Sequence, residues 1–238
     1  MQRPFTVEWE DVLAGTPEQV WDAITARASA WIWDIDYEPR LGGAERGLTG
    51  SGGTVTAWDP PRHFQTRAER PDGWHNQLDY HLEPVDGGTR VRYVHQSVAE
   101  AGDHDRIHRE CVEHTAFYLH SLGEYVRRFA GRDATYVGVD ADGTSAGVRA
   151  RLGLPAGAAV GDAIRLEPAG LPAIEGTIDY LTPMFLGVRG DDLLFRVYGR
   201  DVWNDPLTIA LHLFGEEVDG PGVERALTQW MTPTEAVA

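Results

Sequence analysis

Histidine and cysteine side chains recur at helical spacing after residue 103. His104, His108 and Cys111 stand at positions i, i+4 and i+7, which places them on one side of a helix, and imidazole nitrogen with thiolate sulfur can bind zinc. No fourth ligand is signalled nearby, and Cys111 also belongs to an apolar stripe. We therefore expect no metal ion.

A second pair, His114 and Tyr118, lies further along the same stretch. A histidine on an apolar helix face needs a hydrogen-bond partner when it is buried. The ordinary explanation is a core histidine bonded to a backbone carbonyl or to a tyrosine hydroxyl. The alternative is that His114 contacts a ligand or moves a proton.

Aromatic and polar side chains of the first half form another group that could surround the same space. They are Trp31, Trp33, Trp58, Trp74, Tyr80, Tyr93 and His95. Small-molecule pockets combine aromatic walls with a few polar groups, although a solid core uses the same residue types. Together with His114 and Tyr118, these side chains are the predicted lining of a ligand pocket.

The sequence does not support nucleophilic catalysis or nucleotide binding. We expect no Gly-x-Ser-x-Gly nucleophile elbow, and neither a Rossmann fingerprint nor a P-loop is present. Paired acids fall in predicted loops and turns, where solvation is their simplest role. We accordingly expect no catalytic residue and no cofactor, and lean against an enzyme.

One long amphipathic helix must position the histidines and Tyr118. Its apolar positions are spaced by three or four residues and form one stripe of Ile107, Cys111, His114, Tyr118, Leu122, Tyr125 and Phe129. Asp103 is a plausible N-cap and Gly131 a plausible C-cap. The spacing predicts a helix from Asp103 to Arg132, which requires an extended apolar surface to cover it.

Antiparallel strands supply that surface. Period-two patterning and turn residues predict strands at Phe5–Trp9, Ala44–Leu48, Gly53–Asp59, His63–Arg70, Asn76–Pro84 and Thr89–Val98. Thr16, Pro17 and Gln19 predict the capped start of a helix, and Ala30–Trp33 suggests a second short helix. The order is strand, helices, meander and long helix.

These residues resemble the SRPBCC, or START-like, helix-grip superfamily, and within it the branch named after the activator of the Hsp-ninety chaperone ATPase. The resemblance spans residues 1–132 and rests on Thr16-Pro17-Glu18-Gln19-Val20-Trp21, Gly53-Thr54-Val55 with Pro60-Pro61, Leu82 to Val91, His95, and Cys111-Val112-Glu113-His114 with Tyr118-Leu119. It implies an α+β fold, a curved antiparallel sheet wrapped around a long C-terminal helix. Superfamily members include lipid carriers, hormone receptors, polyketide cyclases and chaperone activators, so the fold does not select a function.

Residues 133–238 have a similar order in shorter form. Predicted strands lie at Ala134–Asp140, Gly161–Glu167, Ile174–Leu181, Phe185–Arg189, Leu193–Gly199 and Leu207–Phe214, with helices from Thr144 to Leu154 and from Val223 to Met231. Two explanations remain open. The segment is a degenerate second helix-grip domain, or it is a smaller α+β unit of another kind.

Composition limits the partners. The chain has 238 residues, 42% of them hydrophobic, and a net charge of −16 in which every base is arginine. This acidity argues against nucleic acid or anionic membrane as a partner. One cysteine and no signal-peptide pattern near Met1 lead us to expect a cytoplasmic protein.

The sequence thus favours binding of a small, largely apolar ligand, with aromatic molecules as the expected class. The enzyme alternative is a polyketide cyclase or aromatase in which His114 or His95 moves a proton. The third alternative is a chaperone-activator-like interaction module. We expect the pocket in the first domain, while a homodimer through the strand edge between the halves is an open alternative.

Overall fold

The computed structural model describes residues 1–168, 170–171, 173–201 and 205–232. The chain separates into two compact units, Met1–Asp133 and Ala134–Ala238. Each described unit holds one antiparallel sheet and two helices, which confirms the predicted α+β class. No helix in the described part of the chain is long and apolar enough to cross a membrane.

The first unit contains a seven-stranded sheet in the order β1-β7-β6-β5-β4-β3-β2. Its strands are β1 (Gln2–Leu13), β2 (Asp36–Tyr37), β3 (Ala44–Arg46), β4 (Gly53–Asp59), β5 (His63–Glu69), β6 (His75–Val85) and β7 (Gly88–Glu100). Sequence patterning located every strand except β2. The first strand pairs with the last, and the others follow as a meander.

Helix α1 (Pro17–Thr25) begins as its sequence predicts. The Thr16 hydroxyl accepts a hydrogen bond from the Gln19 amide, while the Gln19 side chain accepts one from the Thr16 amide. Both otherwise open donors are thereby satisfied. The short helix expected at Ala30–Trp33 is instead a single 3-10 turn, Ala28–Ala30.

Helix α2 (His104–Arg128) lies against β1, β7 and α1. Its buried positions include Leu122 and Tyr125 of the predicted stripe, but also Phe117, which the stripe omits. The buried face of α2 is wider than the predicted stripe because both α1 and the sheet pack against the helix. Asp103 stands at the predicted N-cap position, but in the described structure its side chain makes no capping hydrogen bond.

The second unit contains a six-stranded sheet in the order β8-β13-β12-β11-β10-β9. Its elements are β8 (Thr135–Ala141), α3 (Ser145–Arg151), β9 (Ala163–Leu166), β10 (Ile174–Leu181), β11 (Phe185–Arg189), β12 (Leu193–Tyr198), β13 (Leu207–Leu213) and α4 (Gly220–Met231). As in the first unit, the first strand pairs with the last and a meander follows. Helix α4 lies against β8.

A buried ion pair lies within the second sheet. The Arg196 guanidinium is fully buried and donates two hydrogen bonds to the Asp179 carboxylate, at 3.0 and 2.9 Å. A side chain on neighbouring Gly187 would come within 2.8 Å of both partners. The glycine therefore leaves room for the pair.

Candidate ligand-binding site

Three tyrosines line the inner face of the first sheet. Tyr80 and Tyr93 stand opposite each other on β6 and β7, with ring centres 4.8 Å apart. The Tyr37 ring lies 4.8 Å from that of Phe64, which is 6.1 Å from Tyr80. Because β3 and β4 separate Tyr37 from Phe64 in the strand order, this contact requires a curved sheet.

Burial keeps the tyrosine hydroxyls protonated. Desolvation raises the pKa of Tyr37 well above its ordinary value, and Tyr80 and Glu45 raise it further. Desolvation likewise raises the pKa of Tyr80 and Tyr93, and for Tyr93 a hydrogen bond with Thr115 opposes the rise. The three hydroxyls are neutral polar groups in an aromatic setting, suited to orient a ligand by hydrogen bonds.

His95 adds an imidazole to the same face of β7. Its Nε2 lies 2.7 Å from Asn76 Oδ1, and the Phe5 ring meets it edge-on with centres 5.6 Å apart. Burial, assisted by His75, lowers the pKa of His95 to about 4. The imidazole is therefore neutral at pH 7.

This pKa shift predicts acid sensitivity. The folded-state pKa of His95 lies below its ordinary 6.5, so between these values the unfolded chain gains a proton that the folded chain does not. The contribution of His95 to the free energy of unfolding does not change with pH above about 6.5, and it falls as the pH decreases toward 4. Urea unfolding should show that His95→Gln, which retains a donor, removes about 2 kcal/mol of the stability loss between about pH 7.5 and about pH 5. An unchanged loss would contradict this assignment.

His114 and Tyr118 occupy neighbouring turns of α2, with Trp33 beside them. The Tyr118 ring lies 5.6 Å from the His114 ring and 5.3 Å from the Trp33 ring. His114 Nδ1 is 3.0 Å from the Glu110 carbonyl oxygen, and the Trp33 indole donates to the Gly47 carbonyl oxygen. These predicted lining residues form a second group on the helix side.

The remaining predicted tryptophans lie in three different places. Trp58 packs its ring edge-on against Phe64 and extends the tyrosine group. Trp31 is buried and donates its indole hydrogen to the Ala23 carbonyl oxygen of α1. Trp74 follows the β5–β6 turn, with the Arg70 guanidinium 4.1 Å above its ring, and is not brought together with the tyrosines.

Glu45 is a further candidate site residue, although no pattern in the sequence marks it. It stands opposite Tyr37 in the β2–β3 pair and is only 2% exposed. Its Oε1 accepts from the Leu48 amide, whereas its Oε2 has no hydrogen-bond partner in the described part of the chain. Burial raises the pKa of Glu45. A buried carboxyl oxygen without a partner costs about 1–3 kcal/mol, which a donor group of a ligand would recover.

An open groove beside β3, β4 and β5 reaches Glu45. It has a volume of about 770 Å³ and is lined by Ala44, Glu45, Arg46, Ser51, Gly52, Gly53, Thr54, Thr56, Arg67, Ala68 and Glu69. A Cβ on Gly53 would approach Glu45 Oε2 to 2.5 Å. The absence of a side chain at Gly53 therefore keeps space beside this oxygen.

The histidines considered for metal binding have other partners. His104 Nε2 lies 3.0 Å from the Pro4 carbonyl oxygen, and His108 Nε2 lies 3.1 Å from that of Thr6. Both imidazoles thus join α2 to β1. Burial raises the pKa of Cys111 to about 12, so its thiol stays protonated and is a poor ligand or nucleophile at neutral pH.

One sequence expectation needs correction, because Gly143-Thr144-Ser145-Ala146-Gly147 does have Gly-x-Ser-x-Gly spacing. The segment runs from the turn after β8 into the first turn of α3, which begins at Ser145. The Ser145 side chain is 1% exposed and donates to Asp201 Oδ1 at 2.6 Å. A buried serine whose hydroxyl donates to a carboxylate lacks the exposed hydroxyl of a nucleophile elbow.

Comparison with known proteins supports the resemblance predicted for the first unit. Residues 14–127 match the family described as Activator of Hsp90 ATPase homolog 1-like protein. This match lies wholly in the first unit and confirms its resemblance to the SRPBCC superfamily and the Aha1-like branch. No curated protein matches the chain.

Several solved structures are similar to about half of the chain. Protein MLL2253 from Mesorhizobium loti is 20% identical, with 52% of this chain and 98% of that chain covered and a TM-score of 0.45. CalU16 from Micromonospora echinospora is 15% identical, with 53% and 86% covered and a TM-score of 0.43. The Aha1 dimer from Colwellia psychrerythraea is 22% identical, with 51% and 96% covered and a TM-score of 0.42.

Proposed function

We propose that the first unit binds a small, largely apolar ligand between the inner face of its sheet and helix α2. The observation that carries the proposal is the set of neutral polar groups on the aromatic inner face: Tyr37, Tyr80, Tyr93 and His95. A core selected only for stability has little need for so many buried polar groups. Aromatic walls with few polar groups suit an aromatic ligand that carries hydroxyl or carbonyl groups.

The electrostatics favour binding over catalysis. Proton abstraction near neutral pH works best with a base whose pKa lies near 7, whereas that of His95 is lowered to about 4. The Cys111 thiol and the three tyrosine hydroxyls remain protonated. These groups donate or accept hydrogen bonds without a charge, which fits recognition of a neutral molecule.

The proposal is tested with 1-aminoanthracene, an aromatic probe whose fluorescence increases in apolar surroundings. We expect saturable binding by the full chain. Tyr93→Leu should weaken it about tenfold, since an aromatic contact contributes about 1.4 kcal/mol. Trp74→Ala removes an aromatic ring outside the tyrosine group and should leave the affinity unchanged. Equal weakening by both variants, or no saturable binding, would contradict the proposal.

A second candidate function is a protein-interaction module that activates a chaperone ATPase. The match of residues 14–127 to the family described above favours it. Purified Hsp90 with and without the chain would separate the two functions. Stimulated ATP hydrolysis that Tyr93→Leu leaves intact supports the interaction module, whereas probe binding without stimulation supports the ligand-binding function.

We propose that the second unit is a shortened helix-grip domain and has no pocket comparable to that of the first unit. Its strand order follows the same pairing rule as that of the first unit, but α4 has 12 residues where α2 has 25. At 1.5 Å per residue, α4 is about 18 Å long against about 38 Å for α2. Its Leu227 and Trp230 are buried in a core of strand side chains, which supports a stabilising role.

A further inference from the structure

Two histidines and an aspartate form a cluster on the outer face of the first sheet. Asp79 and His81 are two residues apart on β6, so they point to the same side of the sheet. His63 stands directly opposite His81 on β5. The sheet register therefore brings His63 of β5 beside Asp79 and His81 of β6.

Their ligand atoms converge. Asp79 Oδ1 lies 2.8 Å from His63 Nε2 and 3.3 Å from His81 Nε2, and one donor atom from each residue lies within 4.8 Å of the others. Zinc bonds to nitrogen and oxygen are about 2.0–2.2 Å long, which separates neighbouring ligand atoms by about 3.0–3.5 Å. The two carboxylate-to-imidazole distances are close to that range.

A chain of hydrogen bonds holds the carboxylate in this orientation. Gln65 Nε2 donates to Asp79 Oδ2 at 2.8 Å, and the Thr56 hydroxyl donates to Gln65 Oε1 at 2.8 Å. The second carboxylate oxygen is thereby occupied, while Oδ1 faces the imidazoles. Metal-binding carboxylates are held by outer partners of this kind.

The site is open to solution and to exchange of ions. The side chains of Asp79, His63 and His81 are 18%, 32% and 50% exposed. The imidazole rings of His63 and His81 are stacked with centres 4.2 Å apart, and the Nε2 atom of each lies near Asp79 Oδ1. Two charged residues on the neighbouring strands flank the cluster: Arg92 stands opposite His81, and Asp59 stands opposite His63. Asp59 also forms an ion pair with Arg62.

We propose that His63, Asp79 and His81 bind a divalent transition-metal ion, zinc in particular. Two imidazole nitrogens and one carboxylate oxygen are a donor set that zinc accepts, with water in the fourth position. The net charge of the chain, −16, favours the approach of a cation. This site lies on the opposite face of the sheet from the tyrosines, so it does not depend on the proposed ligand-binding function.

The test is calorimetric titration of ZnCl₂ into untagged, EDTA-treated and dialysed full-length protein at neutral pH. We expect one ion bound per chain. His81→Ala and Asp79→Asn should each weaken binding at least about tenfold, and Gln65→Leu should weaken it about tenfold through loss of carboxylate orientation. His108→Gln removes an imidazole elsewhere in the first unit and should leave the affinity unchanged.

Circular dichroism of each variant checks that these surface substitutions leave the fold intact. Visible absorption of bound Co²⁺ in place of Zn²⁺ should appear with the wild-type protein and disappear with His81→Ala. The proposal is overturned if no saturable zinc binding occurs. It is also overturned if His81→Ala and Asp79→Asn bind zinc as the wild type does, or if His108→Gln loses binding equally.

Discussion

Leu122→Asp is expected to unfold the first unit. Leu122 is fully buried on α2, and a carboxylate there would have no hydrogen-bond partner in an apolar environment. Burial of a charged group without a partner costs at least about 4 kcal/mol, a large part of the stability of a small domain. Differential scanning calorimetry should show loss of the transition of the first unit.

Val112→Asp is the matched control, since Val112 lies on the same helix but is 43% exposed. Its charge would remain hydrated, and the melting temperature should change by no more than about 2–4 °C. If Leu122→Asp melts like Val112→Asp, then α2 does not form the core of the first unit.

Asp179→Ala is expected to destabilise the second unit by about 3–5 kcal/mol. The substitution removes the carboxylate that accepts both hydrogen bonds from Arg196, whose guanidinium is fully buried. The charged group then loses its counter-ion where water cannot replace it. Urea unfolding of the full chain measures the loss.

Two further variants separate the ion pair from a general packing effect. Glu167→Ala breaks an exposed pair with Arg165 and should cost less than about 1 kcal/mol. The double variant Asp179→Leu with Arg196→Met replaces both charges by apolar groups and should recover much of the loss. A loss for Asp179→Ala no greater than that for Glu167→Ala would contradict this account.

Local signals in the sequence are sufficient for most of the secondary structure. Thr16 and Gln19 form the capping box that begins α1, and the turn at Gly87 and Gly88 joins β6 to β7. Strand β2 has only two residues, Asp36 and Tyr37, which is too short for a period-two pattern. Elements defined by neighbouring residues were therefore predictable, and an element defined by its partner strand was not.

The candidate site depends more strongly on contacts between distant residues. Tyr80 and Tyr93 could be placed on the inner face because both strands alternate cleanly. Glu45 could not be identified, because its importance comes from pairing with Tyr37 across β2 and β3. Trp74 is the opposite case, because its residue type suggests a pocket wall. Its ring lies against Arg70 at the β5–β6 turn and is not part of the tyrosine group.

We expect an aromatic ligand to enter the first unit beside its buried tyrosines. The chain offers an internal comparison, because Tyr80 and Tyr93 lie in the first unit while Tyr180 and Tyr198 lie in the second. Incorporation of 3-fluorotyrosine gives each of them a fluorine signal. Single Tyr→Phe variants assign the signals.

The decisive measurement is the fluorine NMR spectrum of the full chain during titration with 1-aminoanthracene. Aromatic rings in contact shift each other's resonances, so we expect saturable shifts of the Tyr80 and Tyr93 signals and little change at Tyr180 and Tyr198. Saturable shifts confined to the tyrosines of the second unit, or no shift of Tyr80 and Tyr93 at saturation, would contradict a ligand site in the first unit.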